Sequence, residues 1–221
     1  MVPTSILQIY GSVAGPMASH LTAAAVCDDP LQRMKHVITA SLAFLYPCHS
    51  WGKPLNPILG ETYQGYLPDG SMISVEQISH HPPISYIILE GPDGLYRFSG
   101  YSDFAIKAWW NSINLEVKGV KRVQFKDGSQ IEYNNQHDKF GNTLMGTCHH
   151  MLLGQITFTD QKNGLEGFID IGSTKKKPRD YLEGHIKRHG EKVCERIFGT
   201  YMGYIDFDGE RYLDLRAAEN Q

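Results

Sequence analysis

Little in this chain could cross-link it, bind zinc or cross a bilayer. Its 221 residues include only 4 cysteines, Cys27, Cys48, Cys148 and Cys194. No two stand at C-x-x-C spacing, which argues against a zinc ribbon. They are too dispersed for a secreted disulfide scaffold, so a reducing, cytoplasmic setting is expected. No apolar run reaches the roughly 18 residues of a membrane span, and the N-terminus lacks the pattern of a signal peptide. An excess of positive charge is also missing. The formal net charge is -3 and the pI about 6.3, so there is no global basic field for nucleic acid, and any anion site must be local. The 10 histidines include the pair His149-His150, but no H-E-x-x-H and no His/Asp/Glu triad, so neither a metal site nor a cofactor is expected. There is no G-x-S-x-G elbow and no carboxylate pair set apart by context, which argues against a hydrolase and against an enzyme generally.

What is present divides into two regimes. Residues up to about Tyr46 read as helical. Leu31, Met34, Val37, Ile38, Leu42 and Leu45 fall at helical spacing from Pro30, with Asp28-Asp29 as the start signal and Pro47 as the stop. Ahead of it, Ile6 to Val13 is a short apolar stretch, read as broken by Gly11, Gly15 and Pro16, and His20 to Val26 is small and alanine-rich. This N-terminal stretch, Thr4 to Val26, suits a mobile flap, or else an ordinary arm packed on the rest. From about Tyr63 the pattern becomes short alternating or β-branched runs between turn signals: Pro68-Asp69-Gly70, Gly91-Pro92-Asp93-Gly94, Lys126-Asp127-Gly128, Gln161-Lys162-Asn163-Gly164 and Asp206-Phe207-Asp208-Gly209. Hairpins with no helices between them predict an antiparallel meander of roughly ten strands, closing or nearly closing to hide its edges. A barrel of that size has room for a small ligand.

Two segments do not read as generic strand or turn. In Lys53–Glu61, Pro54 and Pro57 flank Leu55-Asn56, giving a stiff extended backbone whose amides could receive a phosphate or ester oxygen beside the Lys53 charge. A rigid connector with a surface lysine fits these residues as well. In Glu76–Pro83, His80 and His81 end a strand that Pro82-Pro83 stops. Neighbouring strand residues face opposite ways, so both imidazoles can meet one ligand only if the backbone leaves strand geometry there. Beside a phosphate, imidazoles can protonate and donate charge-assisted hydrogen bonds; a pair of structural histidines is the other reading. The dense basic run Lys175, Lys176, Lys177, Arg179 is either a solvated turn or a patch for membrane phosphates.

These two segments resemble the signatures of the oxysterol-binding-protein-related family, K-P-x-N-P-x-L-G-E and E-Q-x-S-H-H-P-P, and both are complete here. The order of helical segment, lysine-proline motif and strand meander is also similar. The resemblance implies a mainly β fold: a large incomplete antiparallel β-barrel with a hydrophobic tunnel, preceded by an N-terminal helical segment or lid. Residues 1–28 would be the lid arm and 29–221 the barrel core with its leading helix. It implies a monomeric lipid carrier, peripheral at organelle membranes, exchanging a sterol or phosphatidylserine for phosphatidylinositol 4-phosphate. His80, His81 and Lys53 would meet the headgroup phosphate, and the Leu55 and Asn56 amides the glycerol-side phosphate. Phe44, Tyr46 and Trp51 are candidate tunnel-lining residues, and core packing explains them equally well. The C-terminal extension of such domains, with further helices and basic side chains, has no counterpart up to Gln221, so the sequence reads either as a truncated piece or as a short member. The rival reading is a lipid sensor that binds without efficient transfer.

Overall fold

The computed structural model describes residues 4–45, 54–172 and 177–218. Two helices come first, α1 (Ile6–Val26) and α2 (Pro30–Ala43). The strands follow: β1 (Thr62–Tyr66), β2 (Met72–Ser79), β3 (Ile84–Glu90), β4 (Tyr96–Trp109), β5 (Ser112–Lys118), β6 (Val120–Phe125), β7 (Gln130–Asn134), β8 (His137–Gly141), β9 (His149–Asp160), β10 (Leu165–Ile171), β11 (Tyr181–Arg188), β12 (Glu191–Thr200), β13 (Tyr204–Phe207) and β14 (Glu210–Asp214). A short helix α3 (Leu215–Ala218) ends the described chain. The expected meander is present, with 14 strands in one antiparallel sheet rather than about ten.

The helix pair explains how the sheet is filled. Along α1, Leu7, Tyr10, Ala14, Met17, Leu21 and Ala24 are buried, which is the i, i+3, i+4, i+7 spacing of one helical face. The expected break at Gly11, Gly15 and Pro16 is therefore corrected: α1 runs unbroken for 21 residues. Pro16 is exposed, so the hydrogen bond it forfeits lies on the solvated side, where water can replace it. Gly11 lies against the Tyr63 ring of β1, and a Cβ there would stand 2.1 Å from Cε1. Helix α2 begins as expected: Asp29 caps it, accepting from the Leu31 and Gln32 amides at 3.3 and 3.2 Å.

α1 touches β1, β2 and β4, while α2 touches β10 and β14. The sheet thus curls around the helices as an incomplete barrel, its edge strands β1 and β14 unpaired with each other. Tyr212 of β14 donates to the Gln32 side chain of α2 and so ties one edge down.

The sheet has two ends. At the lower end lie the tight turns β1–β2, β3–β4, β6–β7, β9–β10, β11–β12 and β13–β14. At the upper end lie the β2–β3 turn, the β4–β5 hairpin tip and the β8–β9 and β10–β11 loops. Strand β4 pairs with β6 below and then β5 above in one register. Strand β9 pairs with β7 below and β8 above, with a one-residue slip between the two. The upper parts of β4, β5, β8 and β9 therefore form a tongue. It outreaches β3, whose pairing with β4 stops at Asp103, and β10, whose pairing with β9 stops at Gly154.

Candidate functional site

The β2–β3 turn carries the paired imidazoles. Strand β2 alternates Ile73, Val75 and Gln77 inward, then shifts register between Gln77 and Ser79. Gln77 is 1% exposed and braces this irregularity: its Nε2 donates to the Ser79 carbonyl at 2.8 Å, and its Oε1 accepts from the Ser85 hydroxyl at 2.6 Å. Residues 80–83 form the turn, and the His81–Pro82 peptide is cis. The two rings come within 4.6 Å, centroid to centroid, at 67°. His80 is half-buried and His81 exposed.

The lysine-proline segment lies against this turn. The His80 Nδ1 is 3.0 Å from the Pro57 carbonyl and 3.4 Å from the Asn56 Nδ2. Only the carbonyl is an unambiguous acceptor, so Nδ1 carries the proton and Nε2 is left for another partner. Gly60, at φ +79, lets the chain reverse so that its amide donates to the Gln77 carbonyl at 2.9 Å. Glu61 accepts from the Ile58 amide through Oε2 at 3.2 Å. Both motifs thus form one hydrogen-bonded unit, joined by His80 to the Pro57 carbonyl and by Gly60 to the Gln77 carbonyl, with Asn56 beside His80.

The Leu55 amide differs from expectation. It donates to the Thr4 carbonyl at 3.0 Å, and the Leu55 carbonyl accepts from Ile6 at 3.2 Å. The reading of the Leu55 N–H as open to a phosphate is corrected to that extent: the residues that start α1 already hold it. Sequence alone gave no sign of this pairing, because it joins positions some fifty residues apart. Gln77 was missed as well, although a polar residue at an inward position of an apolar alternation was the available signal.

Of the other expected residues, Lys53, Tyr46, Trp51, Lys175 and Lys176 lie outside the described residues. Lys177 and Arg179 are exposed in the β10–β11 loop, with the Lys177 Nζ 4.7 Å from the Tyr181 ring centre. That loop shares the upper end with His80 and His81, but the tongue stands between them. Phe44 is buried at the upper end of α2, 5.8 Å from the Tyr10 ring, with the Lys121 Nζ 5.5 Å from its own ring centre.

Phe44, Tyr10, Met17, Lys121 and Tyr133 are among the residues around an interior cavity of about 20 Å³. That holds about one water, against some 300–1,000 Å³ for a small-molecule site. Burial pushes the Tyr133 phenol well above its ordinary range, so it stays a neutral donor there. The sheet encloses an apolar interior, and α1 with α2 fills it. Among the described residues no group of His, Cys, Asp and Glu could hold a metal ion, and no helix is long and apolar enough to cross a membrane.

Comparison with known proteins identifies this arrangement. The family model for oxysterol-binding protein matches residues 1–218. The chain belongs to the oxysterol-binding protein family. It is 35% identical to oxysterol-binding protein 9 of Dictyostelium discoideum, over 91% of this chain and 53% of that protein. It is 30% identical to mouse oxysterol-binding protein-related protein 1, over 79% of this chain and 19% of that one. The chain thus spans about half or less of these relatives' length. Among solved structures, the Osh1 ORD domain in complex with ergosterol is similar at a TM-score of 0.82 and 23% identity, covering 96% of this chain and 51% of that one. The Osh3 ORD of Saccharomyces cerevisiae in complex with PI(4)P is similar at 0.81 and 22%, covering 97% and 61%. This family's fold is therefore a mainly β, large antiparallel sheet led by two helices, as the motifs implied.

Proposed function

We propose that this chain binds one lipid inside its sheet, without chemistry, and carries it between membranes. The tail lies in the apolar interior and the headgroup at the His80–His81 turn. The observation that carries this reading is the unit joining the two motifs at the upper rim of an apolar, helix-filled sheet. The complexes reported for the two similar ORD structures, with ergosterol and with PI(4)P, support a sterol and a phosphoinositide as the ligands to test first. His80 and His81 would present N–H groups to the phosphate, with Asn56 beside them and Lys53 adding charge.

The cavity beside Tyr10, Met17 and Phe44, about 20 Å³, admits a tail only if a helix moves away from it, and in this reading α1 is the lid. Leu7, Val13, Met17 and Leu21 are buried on it. At about 1.5–3 kcal/mol each, exposing them costs roughly 6–12 kcal/mol. Burying some dozen lipid methylenes at ~0.8 kcal/mol apiece offsets that. A lipid tail thus opposes the cost of moving α1, which water does not. The same movement withdraws Thr4 from the Leu55 amide and frees that donor for a phosphate oxygen. Lid and headgroup site would thus be coupled through one hydrogen bond.

The test is movement of labelled sterol and phosphoinositide between liposome populations, with amide exchange followed in parallel. A carrier moves many lipids per protein, and lipid loading speeds exchange at Leu55 and residues 6–10. Stoichiometric uptake without turnover supports the sensor reading instead. Exchange at Leu55 unaltered by loading would refute the coupling.

A further inference from the structure

If the chain carries lipid, as proposed above, it must meet membranes with the end that holds His80 and His81. On that reading we propose that the tip of the tongue is a membrane-docking wedge, in which Trp109, Trp110, Leu144, Met145 and Ile106 enter the lipid interface.

The tip is apolar and uncovered. Trp109 is 67% exposed, Trp110 73%, Ile106 71%, Leu144 72% and Met145 63%. Every residue from Ile106 to Trp110 and from Leu144 to Cys148 is exposed, so the end of β4 packs on neither face. Isolated exposed apolar residues need no explanation, but a contiguous group marks an interaction surface. These side chains are also held in place. The Asn111 Oδ1 accepts from the Leu144 and Met145 amides at 2.9 and 3.0 Å, and its Nδ2 donates to the Met145 carbonyl at 3.1 Å. The Thr143 amide donates to the Asn111 carbonyl at 3.3 Å. One asparagine thus staples the β8–β9 loop to the β4–β5 turn and joins two loops into one apolar tip.

Charge and shape favour a membrane over a protein partner. The chain has 24 Asp and Glu, yet none lies in residues 104–115 or 139–159. Beyond Glu116, which accepts from Lys107 at 2.6 Å, and Asp138, the tip carries no carboxylate, and Lys139 adds positive charge at its base, so it nears an anionic surface without repulsion, whereas the chain as a whole carries -3. The tip is also a protruding wedge and not a groove. Tryptophan suits the bilayer interface, where its ring is buried and its N–H stays hydrated. Strand β4 continues 6 residues past Asp103, the last partner of β3, or roughly 20 Å at ~3.3 Å per residue. A tip seated in the membrane interface would turn the end that carries His80 and His81 toward the membrane.

The test is flotation with vesicles of phosphatidylcholine and phosphatidylserine, using the whole chain, Trp109→Ser/Trp110→Ser and Leu144→Asp/Met145→Asp. Both variants are expected to keep the thermal midpoint and to lose vesicle partitioning roughly tenfold or more. Tryptophan emission of the unsubstituted chain should shift to shorter wavelength on vesicles and be quenched by lipids brominated near the carbonyls. Variants that float like the parent, or a parent that does not float, overturn the proposal and leave a protein partner as the wedge's occupant. Sterol loading from cyclodextrin, with no membrane present, separates the two readings. It should be unchanged in both variants, and a parent that takes up no lipid this way sinks the carrier reading, while flotation still judges the wedge.

Discussion

The two ends of the sheet are built on different principles. At the lower end, side chains close the turns and tie them to the helices. Asp69 accepts from the Ser71 amide and hydroxyl at 3.0 and 2.9 Å, and Asp127 accepts from those of Ser129 at 2.8 and 2.6 Å. Gly70, Gly94, Gly128, Gly164 and Gly209 all sit at positive φ, as such turns require. At the upper end the side chains face outward: imidazoles, tryptophans, and amides shared between distant segments. The lower end holds the molecule together and the upper end is left to meet something else. Substitutions at the two ends should therefore separate stability from binding.

The largest loss of stability is expected at Arg33, where α2 meets the lower end. Its guanidinium is buried and donates to the Ala24 and Cys27 carbonyls at 3.2 and 2.7 Å, to Asp127 at 2.6 Å and to the Ser129 hydroxyl at 2.6 Å. It also lies 4.7 Å from the centre of the Phe125 ring. Hydrogen bonds from Ser129, then the Arg33 charge, hold the Asp127 carboxyl well below the usual carboxylate range. Arg33→Ala removes the donor to two carbonyls, to Asp127 and to the Ser129 hydroxyl and empties a packed position, so a loss of about 3 kcal/mol or more is expected in urea unfolding. A loss under ~1 kcal/mol would show that this end is not the anchor. Next is Gly11→Val, which drives a side chain into the Tyr63 ring and should cost about 1–3 kcal/mol. An unchanged midpoint would mean that α1 shifts freely on β1, which would also lower the barrier to lid movement.

The same contrast explains what could be read in advance. All five turn signals fall at the lower end, because a Gly or Asp in a tight turn is recognisable from its immediate neighbours. The strand runs between them were legible for the same reason. Helix α1 was not read as continuous, because Gly11, Gly15 and Pro16 look like breakers. The sheet that overrides them is made of residues distant in sequence. The upward extension of β4 to Trp109 was also missed, since its pairing with β5 has no Gly-containing turn to announce it. At the site, the two motifs were visible as residue strings. Their joining through the Pro57 carbonyl, and the capture of the Leu55 amide by Thr4, depend on the fold.

A smaller effect is expected at the helix–sheet seam, from acid. His20 of α1, His36 of α2 and Tyr212 of β14 form a chain of rings with centroids 5.9 and 5.3 Å apart. Burial first, then the His36 charge, lowers the His20 imidazole from 6.5 to about 4. Burial also lowers His36, against a raising pull from Glu210. The unfolded imidazole takes up its proton near 6.5 and the folded one only near 4, so in that window the unfolded state binds more protons. The stability is therefore full above about 6.5 and lost as the pH falls towards 4. Chemical unfolding at pH 7 and pH 4.5 should differ by ~1–2 kcal/mol more in the parent than in His20→Gln. Equal pH slopes would clear His20 of the effect.

The smallest change in stability, and the sharpest contrast, is expected at the upper end. His80→Ala/His81→Ala removes one half-buried and one exposed ring from a turn whose shape is set by Gln77, Gly60 and the prolines. Among the described residues the bond lost inside the protein is His80 to the Pro57 carbonyl, so unfolding should shift by no more than about 1 kcal/mol. Phosphoinositide uptake from liposomes should nevertheless fall at least about tenfold, since each charge-assisted bond to a phosphate is worth about 1.5–3 kcal/mol. Sterol uptake should stay near the parent's level, because a sterol brings no phosphate to this turn. Gln77→Ala offers the complementary case. It leaves both imidazoles in place but removes the brace beneath them, and if alignment of the pair matters it should weaken phosphoinositide uptake while sparing sterol. If the double histidine variant takes up phosphoinositide normally while Arg33→Ala does not, the division between a structural and a binding end is drawn in the wrong place.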